Sequence, residues 1–398
     1  MDHDILISGG GIAGLTAAAA FGRAGFSVLC VDPAPPVTER DAAGADLRST
    51  AFLQPAQAFL DRAGLWDRFA PHATPLQTMR VVDAGGGDET GVRASKSFDA
   101  ADISEKPFGW NLPNWLLRRE LSAALDEIDG VDFRPGTATT GLLSRTSAAR
   151  VTLSDGSRPE VALVIAADGR NSPMRRAAGI GVRTTRFGQK ALAFAVTHPE
   201  PHQNVSTEIH RSGGPFTLVP LPDYEGRPSS AIVWMEDGPE AERLMGLDTG
   251  DFEAAMTARS CGLFGPLTLA SNRSIWPIVA QEATALTAER LALVAEAAHV
   301  MPPIGAQGLN MSLRDLDTLL DLAETHRGAL GGRAMLDAYA RKRSADIRVR
   351  VGGVGLLNRI SQSGSPLVQD LRAVGLSALY ELPPVRRTLM QLGLGARG

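Results

Sequence analysis

An α/β fold in interleaved parts is what this sequence predicts, and three observations predict it. Within the first 32 residues an apolar run, a glycine cluster, an alanine-rich helical run and a second apolar run follow one another, which reads as a β-α-β unit. Residues 181–275 change texture to short alternating strands at close spacing, with few helix patterns between them. Strand-style text returns near residue 290, and a long helical pattern follows from about Leu309. The expected division is a Rossmann-like α/β domain in discontinuous pieces, 1–75, 101–180 and 276–340. A largely antiparallel β-sheet domain, 76–100 and 181–275, is inserted into it, and a basic helical C-terminal segment, 341–398, closes the chain.

The elements can be taken in order. DILIS (4–8) is a buried strand, LTAAAAFGRAGF a helix and SVLCVD (27–32) the second strand. From Ala51 to Phe69 apolar residues recur at helical spacing. TMRVVDAGGGDETGVRASKSFD alternates like a hairpin around a glycine-rich loop. NWLLRRELSAALDEI is an amphipathic helix. VDFRPGTAT and ARVTLSDGSRPEVALVIAADG are strands, the latter two joined by a DG turn, and ALAFAVTH, VSTEIHR, GPFTLVPL and SSAIVWMED build the inserted sheet.

Composition narrows the function classes. The chain has 398 residues, enough for two or three domains, and a net charge of −4, with no global pull toward nucleic acid. Cys30 and Cys261 have neither disulfide-framework nor metal-site spacing, so no metal is expected and a reducing compartment is the default. No leader or membrane-spanning run is visible. The expected location is the cytoplasm, with peripheral contact to an inner membrane as the alternative. Residues 341–398 carry ten Lys and Arg against three Asp and Glu, with Leu and Val at helical spacing. That is either a packed helical cap with a solvated face or a contact for an anionic membrane or a partner.

The first chemical motif is GGGIAG, where Gly9, Gly11 and Gly14 form G-x-G-x-x-G between a strand and a helix. Gly9 permits the tight turn, Gly11 removes a Cβ that would meet a pyrophosphate, and Gly14 lets helix and strand approach. Phosphates then meet free N–H groups at the positive helix end, where Ile12 and Ala13 stand. Asp32 ends the second strand, placed to bond a ribose hydroxyl. An acid there opposes a 2′-phosphate and favours FAD or NAD over NADP in this slot.

Two later motifs follow. AADGRNSPMR contains D-G-x-x-S-x-x-R as Asp168, Gly169, Ser172 and Arg175, and AAH leads through PPIGAQGLN into a helix. The order and spacing of all three resemble the FAD-dependent aromatic hydroxylases, the group that includes para-hydroxybenzoate hydroxylase. Within it the chain is similar to the ubiquinone-biosynthesis hydroxylases of the UbiH and UbiF type. LRSTAFL near Arg48 and R-x-x-L-x-x-x-L from Arg118 match as well.

The resemblance implies site residues by position. Gly9, Gly11, Gly14 and Asp32 would hold the ADP half of FAD, Arg48 would lie beside the flavin or phosphates, and Arg118 would reach the phosphate or adenosine region. For each arginine a surface salt bridge is the alternative. Asp168 and Gly169 belong to a motif implicated in both FAD and nicotinamide cofactor binding. Pro303 through Asn310 would line the isoalloxazine, with Pro303 and Gly305 nearest the ring. Free N–H groups at Gly308, Leu309 and Asn310, at a helix start, suit the negative charge of a reduced flavin. The family has Gly-Asp before Ala-Ala-His, and its aspartate bonds the ribityl chain; this chain has Ala295-Glu296. Glu296 keeps the charge with one more methylene, and Ala295 adds a Cβ.

The implied reaction is hydroxylation of an aromatic ring through a flavin C4a-hydroperoxide, with NADH or NADPH as reductant and O₂ as co-substrate. The protein contributes no nucleophile, and His299 is expected to support the turn. Phe216, Leu218, Val219 and Pro220 are the expected pocket wall, with plain sheet core as an equal alternative. An apolar pocket suits a polyprenylated phenol, and the basic tail would then hold the pocket mouth at a membrane or within a ubiquinone-biosynthesis complex. Two rivals remain: a scaffold in such a complex that has lost flavin, motivated by Ala295-Glu296, and a prenyl-lipid reductase of the same fold. A flavin halogenase is disfavoured because SIWPIV around Trp276 lacks W-x-W-x-I-P. A plain NAD dehydrogenase leaves the second and third motifs unexplained.

Overall fold

Four parallel strands lie side by side at the centre of the α/β unit: Val28–Asp32, His3–Ser8, Glu160–Ala166 and Leu291–Leu293. Each is almost wholly buried, so each reads as a continuous apolar run. A computed structural model describes residues 1–85, 91–211, 213–363, 365, 387, 390 and 391. Val131–Pro135 extends this sheet beside Val28–Asp32, and the hairpin Thr139–Ser144 with Ala149–Leu153 branches from Glu160–Ala166. Helix Ile12–Arg23 covers one face, buried from Ala13 to Gly22 and packed against helices Asn114–Leu125 and Gln307–Thr325. Its alanines let these neighbours approach closely.

The inserted sheet is long and mostly antiparallel. Its spatial order is His299–Val300, Ser274–Ala283, Val182–Thr197, Arg227–Asp237, Gly214–Tyr224, Val205–Arg211, Thr78–Asp83, Ala94–Asp99. The expected hairpin of 78–99 is present in this sheet, with Val81 opposite Lys96; its tip, 86–90, lies outside the described residues. Alternation along Val182–Thr197 separates two faces. Leu192, Phe194 and Val196 pack with Phe216, Leu218 and Trp234 against helices Gly238–Met245 and Thr249–Arg259. Ala191, Met235 and Ile278 belong to the core of the α/β unit instead.

The structure differs from the sequence expectations at several places. Ala51–Leu53 is strand rather than helix, because Ser49–Leu53 pairs with Gly109–Pro113 in a small three-stranded sheet; helices Gln54–Arg62 and Trp66–Phe69 follow. The inserted sheet reaches past 276, because Ser274–Ala283 completes the edge of Val182–Thr197. The last helix begins at Arg333 and runs unbroken to Gln362, so no boundary falls at 341. Tail residues past Gln362 lie largely outside the described residues.

Candidate functional site

The four central strands run in one direction, so their carboxyl ends share one edge, and each delivers a motif there. Strand His3–Ser8 leads to Gly9, Val28–Asp32 ends in Asp32, Glu160–Ala166 leads to Asp168, and Leu291–Leu293 leads to Ala295. Ligands of such sheets bind in the crevice beyond these ends.

At the first turn Gly9 has φ +111°, and a Cβ on it would stand 2.4 Å from the Ala167 carbonyl oxygen. A Cβ on Gly14 would stand 1.8 Å from the Gly9 oxygen, so the helix start is pressed onto the turn. Gly11, by contrast, has nothing within 4 Å of its Cβ position. It caps the helix with no side-chain hydrogen bond, leaving the amides at Ile12 and Ala13 facing an open space. Asp32 accepts from the Gly10 amide at 2.6 Å and the Ala34 amide at 2.9 Å, which holds the acid at the rim of that space.

The second motif caps a short helix. Asp168 Oδ2 accepts from the Met174 amide at 3.0 Å, and Ser172 Oγ accepts from the Arg175 amide. Gly169 takes φ +78°. Burial pushes the Asp168 carboxyl above its ordinary value, although hydrogen bonds from Ser172, Met174 and Ser8 oppose the shift. Arg175 is buried and donates to the Ala297 carbonyl at 2.8 Å, tying the second motif to the third.

In the third motif Ala295 is buried and left-handed, with φ +55°, where glycine is the cheaper residue. Glu296 is exposed, and its charge acts on Arg48. Pro303 is half-buried; Gly305, at φ +63°, and Gly308 are exposed. Helix Gln307–Thr325 starts from Ala306 with no side-chain cap and no acid in its first turn. Leu309 is half-buried there. Asn310 does not point its side chain at the open edge. It accepts from the Leu53 amide at 2.8 Å and donates to Ala51 and Ala306 carbonyls, clamping strand Ser49–Leu53 to the helix start.

His299 is turned into the core, 2.6 Å from Asp315, which also accepts from Arg343 at 2.7 Å. Burial alone would raise the Asp315 carboxyl; His299 and Arg343 outweigh it and hold it below its ordinary value. His299 is thus buried and paired with Asp315, as expected of a residue that supports the turn.

Arg48 and Arg118 meet through Asp46, which the sequence did not single out. Arg48 forms a two-point pair with Asp46, at 2.7 Å for both Nε and Nη2. Arg118 Nη2 lies 3.7 Å from the same carboxylate, and Asn114 Nδ2 donates to it at 3.0 Å. An aspartate two residues before an arginine in a loop carries no sequence signal of its own. Arg48 also lies over the Trp276 ring, 5.3 Å from its centre, on the inserted sheet.

The expected pocket wall needs correction. Phe216 and Leu218 are fully buried on the far side of the sheet, against the two insert helices, because residues two apart share a face. Val219 points the other way and packs with Ala51, Leu53 and Leu76 beside the clamped strand. Pro220 is buried, and its carbonyl accepts from Asn111 at 2.8 Å.

The residues present fit FAD. Both helix starts are open at Gly11 and Gly308, where a Cβ would meet nothing within 4 Å. Among the described residues, Asp168 Oδ1 and Arg118 Nε are buried without a hydrogen-bond partner, one acceptor and one donor for a polar ligand.

Comparison with known proteins agrees with this geometry. The model of the FAD binding domain family matches residues 2–350. The chain is 31% identical over 395 residues to ubiquinone hydroxylase UbiL of Rhodospirillum rubrum, covering 98% of this chain and 89% of that protein. It is 26% identical to the 3-demethoxyubiquinol 3-hydroxylase of Escherichia coli, covering 98% of each. Among solved structures, p-nitrophenol 4-monooxygenase PnpA from Pseudomonas putida superposes with a TM-score of 0.79 at 18% identity, over 99% of this chain and 98% of that one. The chain belongs to the FAD binding domain family and is an FAD-dependent monooxygenase of the aromatic-hydroxylase group.

Proposed function

We propose that this monooxygenase hydroxylates a polyprenylated phenol of ubiquinone biosynthesis, with NADH or NADPH as reductant. The observation that carries this reading is the sheet face turned toward the cofactor edge. Ala193, Ala195, Ala231 and Val219 present small apolar side chains there with Leu221 among them, while Leu192, Phe194, Phe216 and Trp234 of the same strands face the insert helices. Such a wall suits an apolar ring and chain. The relatives named as ubiquinone hydroxylases favour the same substrate class.

When bound, FAD supplies the redox chemistry and the activation of O₂. The chain's own residues bind and orient. The amides of Gly11, Ile12 and Ala13 would receive the pyrophosphate, and Asp32 would take a ribose hydroxyl. The amides of Gly308 and Leu309 at the helix start would stabilise the flavin edge that becomes negative, and Pro303 and Gly305 would lie along the ring. Asp168 Oδ1 and Glu296 offer acceptors to cofactor hydroxyls.

A peripheral membrane contact belongs to the same reading. On the last helix Val349, Leu356, Leu357 and Ile360 are 74%, 59%, 56% and 37% exposed, with exposed Arg341, Lys342, Arg348 and Arg359 beside them. That combination suits an anionic lipid surface.

The test begins with the absorption spectrum of purified protein before and after adding FAD, with a denatured aliquot to identify released cofactor. Oxygen uptake is then followed with NADH or NADPH and a prenylated phenol, with product mass. The expected result is bound FAD and a product heavier by one oxygen atom. Substrate reduced at a double bond without oxygen uptake would point to the prenyl-lipid reductase instead.

A further inference from the structure

We propose that Asp46 is a positioning residue for the cofactor: its carboxylate holds Arg48 against Trp276 and keeps Arg118 beside it, in the arrangement that receives FAD. This rests on the FAD-dependent reading above and adds a residue to it.

Asp46 has only 10% of its side chain exposed, at the end of the loop that follows Asp32. Its two oxygens take Arg48 Nε and Nη2, the Asn114 amide group and the charge of Arg118. Asn114 is itself held, since its Oδ1 accepts from Thr50 Oγ1 at 2.8 Å and its backbone amide donates to the Arg48 carbonyl. The carboxylate is thus the one anion between two guanidiniums that would otherwise repel each other across a few ångströms.

Two consequences follow for the cofactor. The Nε–Nη2 edge of Arg48 is already taken by Asp46, so a phosphate can approach only the Nη1–Nη2 edge. What it offers is that remaining edge and its charge, held over the Trp276 ring. Ordering a free arginine costs rotamer entropy, and here Asp46 orders Arg48 before the cofactor arrives. Arg118 is drawn toward the same carboxylate by charge, at 3.7 Å, with its buried Nε left to donate.

The test is a fluorescence titration of FAD into flavin-stripped full-length protein. Asp46→Asn is expected to weaken FAD binding about tenfold in the wild-type background and less than threefold in an Arg48→Lys background, since the arginine it positions is gone. Thermal melts of the flavin-free proteins show whether each variant is folded. Asp46→Ser, which is smaller and cannot clash, is the second variant and carries the same expectation. FAD affinity equal to wild type in both Asp46 variants overturns the proposal, as does an equal loss in the two backgrounds. A wild-type chain that takes up no FAD overturns both this proposal and the function it rests on.

Discussion

Three glycines of one motif do three separable jobs. Gly14 and Gly9 are required by the protein itself, since a Cβ would enter backbone at 1.8 Å and 2.4 Å. Gly11 is required by nothing in the protein. Gly14→Ala should therefore destabilise the flavin-free protein by about 1–3 kcal/mol or more, the usual cost of overpacking. Gly11→Ala should melt like wild type and bind FAD at least tenfold more weakly. Melting curves and FAD titrations of the two variants check this; a Gly11→Ala protein that keeps wild-type affinity would remove the pyrophosphate from this turn. Ala295 shows the opposite economy, a side chain kept at a left-handed φ where the resemblance leads one to expect glycine.

At the scale of elements, the start of helix Gln307–Thr325 is held from behind. Asp315, on helix Gln307–Thr325, takes His299 from the third motif and Arg343 from the last helix, all three buried. Arg343 also reaches Asp346, and Arg350 links Asp346 to Gln307 at the helix start. Asp315→Asn removes one of the two anions of the buried Arg343 guanidinium and leaves Asp346 as the other, a loss of up to about 3–5 kcal/mol. The pH dependence has a definite sign. Burial alone would raise Asp346, but hydrogen bonds from Arg350 and Arg343 outweigh it and bring the carboxyl to about 2; Asp315 is lowered as well. A depressed carboxylate contributes stability that is complete above the ordinary value of about 4 and is lost as pH falls toward the folded value. Wild type should weaken between about pH 4 and pH 2, and Asp315→Asn less steeply over the same window. Urea unfolding at pH 7 and pH 3 measures both. A variant within 1 kcal/mol of wild type at pH 7, about the size of an exposed pair, would mean that this network carries little.

For the whole molecule, the last helix joins the two units and exposes an apolar stripe. Its inner side is docked on the inserted sheet by Asn358 to Gln189 and Ser361 to His210, and its outer side shows Leu356 and Leu357. Cutting the chain at residue 351 would remove buried Val354 and Asn358 along with the stripe, so truncation is a poor test of membrane contact. Leu356→Glu with Leu357→Glu changes exposed positions only. Sedimentation with vesicles containing phosphatidylglycerol should show binding by wild type that is reduced at least tenfold in the double variant, with FAD still bound. Equal sedimentation of the two proteins would exclude this stripe as the contact.

The sequence by itself determined the α/β frame and the three motifs, because these reside in local chemistry: a strand, a turn that needs glycine, a helix start; the choice of FAD over NAD came from the resemblance those motifs carry. It determined the hairpin of 78–99 in the same way, from alternation. What only the tertiary structure decided depends on residues far apart in the chain. Phe216 and Leu218 could not be told from a pocket wall, since alternation says which residues share a face and not which face meets the cofactor. Ala51–Leu53 became strand because Gly109–Pro113 was there to pair with it. Asn310 became a clamp because its partners lie more than 250 positions earlier in the chain. Asp46 became visible only when folding set Arg48, Asn114 and Arg118 around one carboxylate, an arrangement that no spacing in the sequence encodes.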